Sequence, residues 1–181
     1  MRLLALVDGS EHSLRALDYS INLLNGIGIS ENRPKKSAKN NHELIILNVL
    51  PTIHSSPGIL TPIKPSKDGK SISLDQYTNQ VNRIIESEWV KNLEELKIKY
   101  EKSGVRTSTK ILKGSHSSRY VAYSIIKFVK DQKVNLIVLG SVGLGGVLKN
   151  KALGSVTRNI AEISTCPVLI VPWHRNNSFG F

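Results

Sequence analysis

The sequence lacks what a disulfide scaffold, a metal centre or a membrane span would need. Among 181 residues there is one cysteine, Cys166, so no intramolecular disulfide can form and no C-x-x-C pair exists. Standing before Pro167, it reads as a small core residue, and such sparing cysteine use points to a reducing, cytoplasmic setting. No apolar stretch approaches the ~18 residues needed to cross a bilayer. In MRLLALVDGS, Asp8 interrupts the apolar run before a signal-peptide core is long enough, and no small-residue cleavage site follows, so no cleaved leader is expected. His12, His42, His54 and His174 show no ligand spacing, which leaves no protein metal site to assign. Acidic side chains are also few: 14 against 25 basic ones, a formal net charge of +11. That balance attracts anions, from nucleotides to nucleic acid, without selecting among them.

What is present is an alternation of short apolar runs with helical periods. RLLALVD (residues 2–8) reads as a buried parallel strand. Ser10 can cap a helix with Leu14, Leu17, Ile21 and Leu24 on one face, with Gly26 and Gly28 as stop signals. ELIILNVL (43–50) is a second buried run. A capping box, SLDQ at 73–76, opens a helix to about Lys102 whose expected buried stripe is Val81, Ile84, Ile85, Trp89, Leu93, Leu96 and Tyr100. VRTSTKILKG alternates like a strand, SSRYVAYSIIKFVKDQ reads as a capped helix, VNLIVLG as a strand, SVTRNIAEIS as a helix and PVLIVP as a last strand. The polar, basic stretch at about 30–42 and the proline-rich one at about 51–72 read as flexible insertions.

The β-α-β-α-β-α-β-α-β order predicts one domain, residues 1–174 with a tail at 175–181: a five-stranded parallel sheet between helices, a three-layer α/β/α sandwich. Ligands in such sheets sit beyond the carboxyl ends of the strands, where strand order reverses. In a 3-2-1-4-5 order, strands 1 and 4 flank that crevice, and these are the strands followed by DGS and GSVG.

GSVGLGGVLKNKALGSVT (140–157) is the segment with chemistry in it. Gly140, Gly143, Gly145 and Gly146 free the backbone for positive φ and close approach to a ligand. Gly154-Ser155 opens the last helix, whose N-terminal amides and dipole suit a phosphate, with Ser155 and Thr157 as hydroxyl donors. The G-x-x-x-x-G-K-[ST] loop is absent, and Gly143-Leu-Gly145 lacks the third glycine of G-x-G-x-x-G. A purely structural reading stands beside this one, in which the glycines make a tight turn and Ser155 caps the helix.

GSVG followed by LGSVT and CPVLIVP, with ALVDGSEHSLRAL near the start, resembles the universal stress protein family over most of the chain outside the two insertions. The resemblance implies a Rossmann-like fold of the adenine nucleotide alpha hydrolase-like type. It also implies an adenine nucleotide, ATP above all, at the ends of strands 1 and 4, with any Mg held by the phosphates. Carried over by position, Asp8 meets the nucleoside, Leu6 and Val7 line the wall, and Val49 contacts adenine. Gly140, Gly143, Gly154, Ser155 and Val156 form the phosphate and ribose side, and Leu139, Val142 and Thr157 are further binding residues. ATP-binding members carry G-x2-G-x9-G-[ST]; here ten residues, Leu144 to Leu153, stand where nine are usual. The family further implies a regulatory stress-response role and a homodimer through the last strand.

Three or four charge-assisted hydrogen bonds give roughly 5–12 kcal/mol gross against an association cost of ~4 kcal/mol or more. Micromolar affinity needs about 8 kcal/mol net, so an apolar slot for the base has to contribute. Catalysis asks for more, and no Walker lysine or tandem acidic pair is visible, so slow ATPase turnover at most is expected. Lys149, Lys151 and His116 are candidate phosphate contacts, each with an equal or better reading as a solvated loop residue. Clusters Arg33-Lys35-Lys36-Lys39 and Lys64-Lys67-Lys70 lack interleaved aromatics and read as solvated loops rather than a nucleic-acid surface. The rival to nucleotide binding is a family member that lacks the ligand and acts through protein partners, a reading the ten-residue spacing favours.

Overall fold

The computed structural model describes residues 1–30, 42–54, 72–114, 116–144 and 153–172. Nine elements follow one another: β1 (Arg2–Leu6), α1 (Glu11–Ser30), β2 (Glu43–Pro51), α2 (Leu74–Glu101), β3 (Arg106–Gly114), α3 (Ser118–Asp131), β4 (Leu136–Gly140), α4 (Ser155–Ile163) and β5 (Val168–Val171). The strands form one parallel sheet in the order β3-β2-β1-β4-β5, the predicted α/β arrangement and strand order. Both predicted insertions fall largely at 31–41 and 55–71, outside the described residues, as do Gly145, Gly146, Lys149, Lys151 and the tail.

The near-continuous apolar runs follow from coverage on both faces. Successive side chains of a strand point to opposite sides, so Leu3, Ala5, Leu44, Ile46 and Val138 join Leu17, Ile21, Leu24, Leu93 and Tyr100 of α1 and α2. Leu4, Ile45, Leu47, Ile137 and Leu139 join Ile125 and Ile160 of α3 and α4. β3, at one edge, is only partly covered, which is why its sequence alternates. Cys166 packs beside the second cluster with its thiol 3.4 Å from the Val134 carbonyl, and burial raises its pKa.

Helix ends match the sequence in part. Ser10 Oγ accepts from the Ser13 amide (3.2 Å) at the start of α1, and the Ser73/Gln76 box of α2 is closed in both directions. Three expectations are corrected. α1 runs through Gly26 and Gly28 to Ser30, because the buried side chains before them hold the helix against the sheet and outweigh ~1 kcal/mol of propensity per glycine. Ile84 is exposed on α2, since the stripe facing the sheet follows Val81, Ile85, Trp89 and Leu93 at intervals of four. Ser117 precedes α3 without a side-chain capping bond. Among the described residues no helix is long and apolar enough to cross a membrane.

Candidate functional site

At the carboxyl edge of the sheet lies a cavity of about 650 Å³, within the range of small-molecule sites. All twelve residues singled out above, from Leu6 to Thr157, line it. The wall also includes residues the sequence reading passed over: Ser13, Leu47 and Pro51, the α3 residues Ser118, Val121 and Ile125, and Leu144. Val121 and Ile125 carried a usable signal, because they lie one helical turn apart on the apolar face of the helix that follows an edge strand. His116 lines it too, from the β3 to α3 connection. Among the described lining residues, Asp8 has the only formally charged side chain.

Asp8 sits two residues beyond β1, in a turn that its own carboxylate closes. Oδ1 accepts from the Ser10 amide (3.0 Å) and the Ser10 hydroxyl (2.6 Å), while Gly9 takes φ +87°, the left-handed conformation glycine tolerates. The Asp8 amide donates to Ser13 Oγ (3.3 Å), and buried Asn48 donates to the Val7 carbonyl (2.7 Å), so the turn is fixed from both helix and sheet. The other oxygen, Oδ2, reaches across the cavity mouth and accepts from the Leu144 amide (3.0 Å). Burial pushes the Asp8 carboxyl up, but the bonds from Ser10, Leu144 and Ser13 together outweigh it and hold the pKa below its ordinary value. The group is a carboxylate at neutral pH, with acceptor capacity left for one further donor.

The described glycines of the segment do not supply the positive φ expected of them. None of Gly140, Gly143 and Gly154 has φ in the left-handed region; each is small because something stands against it. A Cβ on Gly140 would lie 2.9 Å from the backbone carbon and the Cβ of His12, where α1 crosses the end of β4. One on Gly143 would lie 2.3 Å from Asp8 Oδ2, and one on Gly154 would lie 3.3 Å from Val142 Cα. The last contact accompanies a hydrogen bond from the Gly154 amide to the Ser141 carbonyl (2.8 Å). The two ends of the glycine-rich segment are thus held side by side, ten-residue spacing included.

The N-cap of α4 is Gly154, not Ser155, and no side chain caps it. Ser155, one residue inside, is exposed on the cavity. The amides of Ser155, Val156 and Thr157 belong to the first turn and have no intrahelical acceptor. Thr157 differs from the expectation of a hydroxyl donor to ligand: it is buried, and Oγ1 donates to the Gly140 carbonyl (3.0 Å). Its hydroxyl proton therefore joins α4 to the end of β4, leaving its amide for the cavity. On the far wall, Asn159 of α4 donates to Ser118 Oγ of α3 (3.1 Å). Among the described residues no group of three or more His, Cys, Asp or Glu side chains is placed to hold a metal ion.

This arrangement presents unpaired amides and a hydroxyl at one end, a carboxylate in the middle and apolar walls (Val49, Val121, Ile125) at the other. It suits a ligand with an anionic end, a donor-bearing centre and a flat apolar end.

Known proteins resemble the chain in sequence and in fold. It is 31% identical over 170 residues to universal stress protein YxiE of Bacillus subtilis, across 94% of this chain and 97% of that one. Universal stress protein UspA from Lactobacillus plantarum superposes with a TM-score of 0.68 at 17% identity, covering 94% of this chain and 97% of its own. Further solved structures share the fold and contain nucleotides. One is a universal stress protein in complex with cAMP (TM-score 0.52, 22% identity, 95% and 96% covered). Another is an Archaeoglobus fulgidus protein with dAMP (0.53, 17%, 94% and 96%), and a third an Arabidopsis thaliana protein with AMP (0.55, 17%, 98% and 94%). The model of the universal stress protein family matches residues 1–172, and with that match the chain belongs to the universal stress protein family.

Proposed function

We propose that this chain binds an adenine nucleotide, ATP in particular, between the ends of β1 and β4, and acts as a regulatory stress-response module with little or no hydrolysis. One observation carries the reading: Gly140, Gly143, Gly154 and Ser155 line the same cavity as Asp8 and Val49, despite the longer spacer. Relatives of the same fold bound to cAMP, dAMP and AMP support the adenine moiety.

In this reading the phosphates meet the first-turn amides of α4 and the Ser155 hydroxyl, where the helix dipole favours negative charge. A ribose hydroxyl donates to the remaining acceptor site of Asp8. The base lies against Leu6, Val7 and Val49. Any Mg is carried by the phosphates. Asp8 is committed to positioning rather than to proton transfer, because its low pKa makes it a weak base. The protein works in the cytoplasm as a homodimer; Val168, Leu169 and Ile170 of the edge strand β5 are only half-buried, which suits pairing across a two-fold axis.

Thermal unfolding with and without millimolar Mg-ATP tests the binding. At 100 times Kd, ligand linkage stabilises by ~2.7 kcal/mol, a readily measured rise in Tm. No rise with ATP, ADP or AMP would favour the rival in which the chain acts through protein partners alone. Mass spectrometry of nucleotide released on denaturing the purified protein identifies the species bound.

A further inference from the structure

We infer that His116 reads the base of the bound nucleotide and does not touch its phosphates. This assignment rests on the adenine-nucleotide reading above and names a residue that determines which end of the ligand the β3 to α3 corner recognises.

The argument starts from the sheet order. Groups facing the phosphates (Gly140, Gly143, Ser155) follow β4, whereas His116 follows β3, and β1 and β2 stand between those strands. Three strand spacings place the two chain ends roughly 14 Å apart, the breadth of a nucleotide laid across the strand ends rather than of one phosphate group. The surroundings at the His116 end are apolar. A Cβ built on Gly114 would lie 2.6 Å from Val49 Cγ1 and 3.5 Å from Val121 Cγ2, so the end of β2 and the start of α3 close on one another there, with Pro51 and Ile125 completing the slot.

An anionic phosphate gains nothing among such groups, and losing its water would be costly. A planar base gains burial, provided its polar edge is met. Ser118 is the other polar side chain at this corner of the cavity, and its oxygen already accepts from Asn159 (3.1 Å). His116 is exposed toward the cavity, and neutral imidazole supplies one donor and one acceptor. Adenine carries an acceptor, N7, next to the N6 amino donor. A ring at the rim of an apolar slot can therefore meet either member of that edge without displacing the base from Val49.

The test is calorimetric titration of ATP, ADP and AMP into wild type, His116→Ala and His116→Gln. Loss of a base contact weakens all three nucleotides in the alanine variant by the same factor, roughly tenfold for one hydrogen bond in a largely apolar slot. Glutamine, whose amide has both donor and acceptor, restores most of it. Melting temperatures without nucleotide should coincide, since His116 lies on an exposed connection. A loss that grows from AMP to ATP would place His116 on the phosphates and overturn the assignment, and so would unchanged affinity for all three. Failure of the wild type to bind any of the three would overturn the nucleotide reading itself, a result distinct from every outcome of the substitutions.

Discussion

Replacing Gly143 with alanine separates a steric account of the glycine-rich segment from a conformational one. The backbone at 143 is outside the left-handed region, so alanine can adopt it, and the atoms a new Cβ meets within 4 Å, chain neighbours aside, belong to Asp8: Oδ2 at 2.3 Å and Cγ at 3.5 Å. To make room the carboxylate has to swing aside. It then gives up the bond from the Leu144 amide (3.0 Å) and strains those from Ser10. A hydrogen bond to a charged group contributes about 1.5–3 kcal/mol, and the partial exposure of Asp8 puts this one at the lower end, about 1.5 kcal/mol. In an Asp8→Ala background the obstacle is gone, and Gly143→Ala should be neutral or stabilising by roughly 0.4–1 kcal/mol through the unfolded chain. The expected coupling between the two sites is therefore about 2 kcal/mol. Denaturant unfolding of wild type, both single variants and the double variant measures it. Additivity to within ~0.5 kcal/mol would refute the idea that glycine is needed at 143 to admit the Asp8 carboxylate.

Other outcomes follow from the same geometry. Thr157→Val leaves the buried Gly140 carbonyl without its 3.0 Å donor and should cost about 1–3 kcal/mol in unfolding free energy, while Thr157→Ser should cost much less; equal losses would mean that the methyl, not the hydroxyl, matters. Ser155→Ala should change stability by less than ~0.5 kcal/mol, because Gly154 is the cap, yet weaken ATP binding several-fold in titration. Asp8 contributes stability that is fully present above its ordinary pKa of 3.8 and is lost as pH falls through its lower value in the fold. The stability gap between wild type and Asp8→Asn should accordingly hold down to about pH 4 and narrow below it, a trend that denaturation at a series of pH values will show or contradict. Tyr100 is buried in the α1/α2-side core and donates its hydroxyl to Asp18; Tyr100→Phe should lower the unfolding free energy by roughly 1 kcal/mol, and an unchanged midpoint would mean that water replaces the bond at no cost.

Much of the fold was legible because its central strands are covered on both sides. Leu3 to Val7, Leu44 to Leu47 and Ile137 to Leu139 have no polar face to expose, so a continuous apolar run is what burial demands. Where one face was partly open, as on α2, period and phase were legible but the width of the stripe was not: Val81, Ile85, Trp89, Leu93, Leu96 and Tyr100 lie on the covered face, whereas Ile84 at its margin is exposed. Glycine misled at Gly26 and Gly28, where local propensity is weaker than packing. At the site the sequence pointed to residues that share one cavity, but it ascribed a positive φ to glycines that do not take one. A motif records that a position is glycine without recording whether φ, a ligand or a neighbouring side chain requires it. The bond between Asp8 and Leu144 joins residues 136 apart in sequence, and only the juxtaposition of β1 and β4 makes it visible. His116, Val121 and Ile125 fell outside the motif because the β3 to α3 corner completes the cavity through topology and not through a contiguous signature.

The hydrogen bond from the Gly154 amide to the Ser141 carbonyl makes the length of the chain between them an almost neutral variable. With both ends fastened, lengthening a nine-residue spacer to ten alters loop-closure entropy by about 0.1 kcal/mol, and doubling it by only about 0.6 kcal/mol. Spacer length in this family thus gauges how far the chain travels between two fixed posts, and says little about what the posts hold. A peptide tag or fluorescent reporter inserted between them should therefore leave the first-turn amides of α4 in place.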